Sequence, residues 1–156
     1  MNRLFLIFLL PFLILISGCS KKNIDHPSST SITIKNHDYS GVENLFIEWT
    51  EMLNQNKNNY YVYIFSRTCG HCREIKNDVI EYALLDEGSL FFIEYQDSIP
   101  KVSFKEEVIG VSNIDKMGIV GVPSLFEIHD QKIVNYYLGT KEILEILEKL
   151  VSSIEN

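Results

Sequence analysis

The run YYVYIF, Tyr60 to Phe65, has no polar face. β-Branched and aromatic residues favour the extended chain, and a strand that is apolar on both sides has to be covered on both sides. It is expected to be the central strand of a layered sheet. After three intervening residues stand two cysteines, Cys69 and Cys72, with only Gly70 and His71 between them. Ile75, Val79, Tyr82 and Ala83 then recur at helical intervals. Cys69 thus falls where a strand turns into a helix.

The rest of the chain fills in the layers. Val42, Leu45, Phe46, Trp49, Met52 and Leu53 share one helical face, which predicts a helix before the central strand with Trp49 in the core. SITIKN, Ser31 to Asn36, predicts an earlier strand, and LFFIEY, Leu90 to Tyr95, a later one. NIDKMG is a short helix stopped by Gly118, and SLFEIH and KIVNYYLG flank Asp130-Gln131 as a hairpin. TKEILEILEKLVSSI is a closing amphipathic helix with Thr140 as its cap. A parallel beginning and an antiparallel end give an α/β fold, a mixed central sheet flanked by helices on both faces.

The start of the chain bears on compartment. Arg3 precedes an apolar run from Leu4 to Ile16, too short to span a bilayer comfortably and interrupted by Pro11. Ile16-Ser17-Gly18-Cys19 resembles a bacterial lipobox. That resemblance implies a signal peptide over residues 1–18, cleavage before Cys19, and a lipid such as palmitate carried by the protein on Cys19. Two or more acyl chains hold a protein on a membrane where one does not. The expected location is the extracytoplasmic face of the cell membrane, lipid-anchored. Residues 19–30, polar and serine-rich, read as a flexible tether, and residues 31–156 as one domain. An ordinary signal peptide or a poor membrane anchor, with an incidental cysteine, stays open as the alternative.

The chain has three cysteines and a formal net charge of -7. An acidic domain without a basic stripe is a poor ligand for nucleic acid, and none is expected as a partner. With Cys19 committed to lipid, Cys69 and Cys72 have only each other to bridge to, in a compartment where disulfides persist.

A thiolate attacks where a thiol does not, and a helix N-terminus or a nearby cation lowers a cysteine pKa from about 8.5 to roughly 3.5–7.5. Cys69, at the helix start, is placed to be the nucleophile. Cys72, one turn deeper, is placed to resolve a mixed disulfide. His71 is expected to donate to the sulfur and favour its anion.

CGHC after a β-strand is similar to the active site of protein disulfide isomerase domains, and the whole map resembles the thioredoxin fold. KMGIVGVPSLFEI, Lys116 to Ile128, resembles the segment in which thioredoxins carry a cis-proline. The resemblance implies a cis Val122-Pro123 bond beside the cysteines, with Val122 offering backbone groups to an extended substrate. It also implies a thiol–disulfide oxidoreductase that needs no metal, nucleotide or flavin cofactor. Its partners would be exported proteins bearing thiols or disulfides and a second redox protein that resets it. CGHC favours oxidation or reshuffling of those clients.

Two departures from the family pattern stand out. The buried carboxylate that thioredoxins usually keep six residues before the first cysteine is Tyr63 here, and a phenol with a pKa near ~10 is a poor base. Glu94, on the next strand, is the candidate to take over the proton relay. The connection Gln96 to Ser112 is longer than usual and reads as extra surface near the active-site end. Two other readings of CxxC remain: a zinc or copper site, which wants more ligands than the pair supplies, and a static disulfide, which gains little from so short a loop.

Overall fold

The computed structural model describes residues 37–86 and 88–154. The leader and tether expected over residues 1–30, with Cys19, and the strand expected at Ser31 to Asn36 lie outside the described residues. Among the described residues, no helix is long and apolar enough to cross a membrane.

Four strands form one sheet in the order β2-β1-β3-β4, with β1 at Asn59–Phe65, β2 at Leu90–Glu94, β3 at Ser124–His129 and β4 at Lys132–Leu138. β1 pairs in parallel with β2 and antiparallel with β3, so the strand without a polar face is the one with a neighbour on each side. Alternation along it sorts its side chains into two layers. Tyr63 and Phe65 face one side, and Tyr60, Val62 and Ile64 face the other.

The α-helices share the first face. α1 (Gly70–Glu74) and α2 (Lys76–Leu85) are separated by a break at Ile75, and α3 (Gly139–Ile154) completes the layer. Cys72, Ile75, Val79, Ile80 and Ala83 pack with Ile143 and Leu147 onto Tyr63, Phe65, Leu90 and Phe92. The cap of α3 differs from the expectation. Gly139 takes φ 82, a conformation open to glycine, and the Glu142 carboxylate accepts from the Leu138 N–H at 3.0 Å. Glu142, rather than Thr140, closes this end.

The second face carries no α-helix among the described residues. The helix expected over Val42 to Leu53 is two 3-10 segments, Tyr39–Leu45 and Trp49–Glu51. Between them Phe46 turns extended and bridges to Phe92, with the Ile47 N–H donating to the Phe92 carbonyl at 3.0 Å. The sheet captured a residue that the helical spacing had assigned to a helix. Tyr39, Val42 and Leu45 join the α-helical side, and Met52 and Leu53 join the other, with Trp49 half-buried against them.

The long connection from β2 to β3 is structural. Lys101 bridges to Ile119, and Ile99, Val108, Met117 and Ile119 are buried on the second face. Gly118 allows the close approach: a Cβ there would stand 2.9 Å from the Pro100 carbonyl oxygen and 2.8 Å from Val102 Cγ1. This irregular cover, with 3-10 turns at Lys105–Glu107 and Ile114–Lys116, occupies a layer where helices were expected. The strand order, the helix after β1 and the cis peptide before β3 make the fold thioredoxin-like.

Candidate active site

The chain leaves β1 at Phe65 and tightens at once. The Cys69 N–H donates to the Ser66 carbonyl at 3.1 Å, and the Ser66 and Thr68 hydroxyls lie 2.9 Å apart. This turn leaves Cys69 extended (φ -74, ψ 124) as the N-cap of α1, where its sulfur accepts from the Cys72 N–H at 3.3 Å. The sulfur thus does what a serine or threonine oxygen does at other helix starts.

Cys69 is partly exposed and Cys72 only 1% exposed. The pair is in the dithiol form. Burial pushes the Cys72 thiol up to about 12, helped by a hydrogen bond to the Cys69 sulfur, while a backbone contact at Ser66 and the Tyr63 hydroxyl pull the other way. The division into an outer and an inner sulfur is the one the spacing implies.

From fifty-three residues along the chain, the loop before β3 arrives on the other side of the pair. The Cys69 thiol donates to the Val122 carbonyl at 3.7 Å. Val122-Pro123 is cis, and Pro123 is buried. Cys69, Cys72, Val122 and Pro123 therefore come together.

His71 and Glu94 are placed differently. His71 is mostly exposed and sets Nδ1 3.1 Å from Glu74 Oε2. Among the described residues, no hydrogen bond joins it to Cys69. Glu94 Oε2 takes the Arg67 Nε–H at 2.9 Å, with both side chains about half exposed. The Arg67 guanidinium also lies 5.2 Å above the Tyr39 ring. The carboxylate of Glu94 is turned to Arg67. Among the described residues, no three His, Cys, Asp or Glu side chains converge on a point that could hold a metal ion.

Three residues of the site had no signal in the sequence. Tyr39 stacks on Phe65 with ring centroids 4.3 Å apart, and burial raises its pKa, with the Cys72 charge adding to the effect. Ser124 and Tyr136 share a buried hydroxyl contact of 2.8 Å. The Tyr136 oxygen also accepts from the Val120 N–H at 2.9 Å, and the Ser124 hydroxyl donates to the Gly121 carbonyl. Together they staple the backbone of Val120 and Gly121, and so the approach to Val122. Tyrosine and serine on alternating strands read only as strand residues until the strands are paired.

No family model matches the chain, and no curated protein matches it. Among solved structures it is similar to thioredoxin f2 of Chlamydomonas reinhardtii, at 17% identity over 70% of this chain and 92% of that one, with a TM-score of 0.43. It is likewise similar to a thioredoxin from Aeropyrum pernix, at 18% identity over 67% and 79% of the two chains, with a TM-score of 0.44. Mitochondrial thioredoxin 3 of Saccharomyces cerevisiae, in its oxidized form, shares 15% identity over 69% of this chain and 92% of its own, with a TM-score of 0.46.

Proposed function

We propose that this protein is an extracytoplasmic thiol–disulfide oxidoreductase, held on a membrane by lipid on Cys19 and acting on exported proteins through Cys69 and Cys72. One observation carries the reading: a partly exposed sulfur caps a helix, with a second sulfur buried one turn behind it and the Val122 backbone carbonyl alongside. In the reductive direction, the Cys69 thiolate attacks a client disulfide, and one client sulfur leaves with the electron pair of the broken S–S bond. Cys72 then attacks the Cys69 sulfur. The second client sulfur leaves and takes up the proton that Cys72 gave, so the client gains two electrons and the pair becomes a disulfide. Run backwards, the same steps oxidise a client dithiol.

The direction is set by the potential of the pair, and about 30 mV corresponds to ~1.4 kcal/mol for two electrons. Equilibration of the domain with a glutathione buffer measures it. A value near about -120 mV makes it an oxidant, and one near about -270 mV a reductant. In cells, the Cys72→Ser variant is expected to accumulate mixed disulfides with exported proteins, and Cys69→Ser to accumulate none. Absence of adducts in both variants would overturn the oxidoreductase reading. Labelled palmitate entering the wild type but not Cys19→Ser tests the anchor separately.

A further inference from the structure

The Tyr63 hydroxyl is fully buried and has no hydrogen-bond partner, the only such side-chain atom among the described residues. Buried polar atoms are nearly always satisfied, and an orphan costs roughly 1–3 kcal/mol. Its surroundings are apolar and fix the ring: Tyr63 stacks parallel to Phe65 at 5.7 Å and lies edge-on to Phe92 at 6.0 Å. It belongs to the same packed cluster as Cys72.

Although no hydrogen bond of ordinary geometry links them in the dithiol, each residue acts on the other's ionisation. Burial drives the Tyr63 phenol well above its ordinary range, and the Cys72 charge is the next largest cause. A phenol in that state does not accept a proton at neutral pH. It keeps its O–H to donate, and donation to the Cys72 sulfur would lower the cost of ionising that thiol.

We infer that Tyr63 is a dry, prepositioned hydrogen-bond donor whose partner is the Cys72 thiolate, so that its orphaned hydroxyl is satisfied as the resolving sulfur ionises. This deepens the oxidoreductase reading and rests on it. A donor held ready where charge develops, at a site that excludes water, stabilises the reacting state more than the resting one. The position that in thioredoxins supplies a base supplies a donor here. The proton of Cys72 then ends on the departing sulfur, and Tyr63 keeps its own.

Ellman's reagent, an aromatic disulfide, separates the two cysteines in stopped flow. Attack by Cys69 releases one thionitrobenzoate. Attack by Cys72 on the resulting mixed disulfide breaks its S–S bond, releases the second and leaves the Cys69–Cys72 disulfide. Tyr63→Phe is expected to leave the first phase within twofold of wild type and to slow the second about tenfold, with its pH midpoint moved upward. Its urea midpoint is expected to be equal to or above that of wild type, because the variant loses only an unsatisfied hydroxyl. A second phase with wild-type rate and pH profile, or a clear loss of stability in the variant, would overturn the inference. A wild type lacking the first phase overturns the oxidoreductase reading instead. In that event, iodoacetamide labelling of Cys72 against pH, in Cys69→Ser with and without Tyr63→Phe, still decides the role of Tyr63: slower labelling without the hydroxyl supports it, and coincident curves refute it.

Discussion

The Val122 carbonyl oxygen lies 3.7 Å from the sulfur of Cys69, whereas Cys72 is 99% covered one helical turn behind. The two thiols should therefore differ sharply toward an alkylating reagent. A thiol pushed up to about 12, set against a free cysteine near ~8.5, has lost between three and four decades of thiolate at neutral pH. The greater nucleophilicity of a more basic sulfur restores one to two of these, given a Brønsted slope of about 0.4–0.5. Iodoacetamide at pH 7.5 is expected to add one group to the native reduced protein, at Cys69, and two to the unfolded one. Native labelling of Cys72 at a rate near that of Cys69 would contradict its placement.

The same ionisation sets an alkaline limit on stability. Cys72 is neutral when protonated, and its folded pKa lies above its unfolded value, so the fold binds the proton more tightly. The stability this contributes is complete below about pH 8.5 and is lost as pH rises toward 12, a loss of a few kcal/mol at most. Buried tyrosines, among them Tyr39, Tyr61 and Tyr63, extend the loss above pH ~10, where unfolded tyrosine ionises. Urea midpoints of the reduced protein are expected to fall from pH 8.5 to 10. In Cys72→Ala and in the oxidised protein, which lack this titration, the fall should begin only near pH 10.

Glu94 is held by Arg67 in a bridge whose partners are 42% and 54% exposed. Exposed pairs of this kind contribute roughly 0–1 kcal/mol. Glu94→Gln is expected to change stability by less than about 1 kcal/mol and to leave the Cys72 phase with Ellman's reagent within twofold of wild type. A Cys72 phase slowed tenfold, with an altered pH profile, would instead restore Glu94 as the proton relay.

These outcomes bear on how far a sequence discloses such a site. The outer and inner cysteines, the central strand and the hairpin were legible because each depends on local pattern: a strand with no polar face, a cysteine at a helix start, a turn between two alternating runs. The Val42 to Leu53 helix failed because its apolar spacing also suits two 3-10 turns, and Phe46 had a strand edge within reach. Ser124 and Tyr136 were invisible because their meeting depends on β3–β4 register, Ser124 against Leu138 and Phe126 against Tyr136. His71 lies between the two cysteines in sequence, yet its charged partner is a turn away at Glu74.

The Ser124–Tyr136 staple has a consequence for the loop it holds. Removing the Tyr136 oxygen leaves the Val120 N–H without its partner and the Ser124 hydroxyl with one contact fewer, in a part of the core that is nearly closed to water. A lost partner at a buried donor costs about 1–3 kcal/mol. Tyr136→Phe is expected to lower stability by that amount, read from urea unfolding. It should also raise hydrogen exchange at Val120 and Gly121 more than at β1 amides. Uniform exchange across the domain would show the staple to be incidental.

The hairpin offers a gain rather than a loss. Asp130 and Gln131 both take positive φ, 48 and 62, the pattern of a two-residue type I′ turn. Such turns favour Asn-Gly or Asp-Gly, since a side chain in the left-handed region costs roughly 1–2 kcal/mol. Glycine at the second position removes that cost and gives back about 0.5–1 kcal/mol through its freer unfolded chain. Gln131 is exposed, so little packing is lost. Gln131→Gly is therefore expected to stabilise the domain by roughly 0.5–1 kcal/mol, equivalent to about 2–5 °C in Tm for a domain this size. Gln131→Val, which puts a β-branched residue where φ is positive, should destabilise by a similar amount or more. The turn adjoins Asn59 at the start of β1, and the cysteines follow its far end, about 20 Å away at ~3.3 Å per residue. Both variants should keep the wild-type rate at Cys69. A Gln131→Gly domain that melts below wild type would mean that the glutamine side chain makes a contact worth more than the strain it carries.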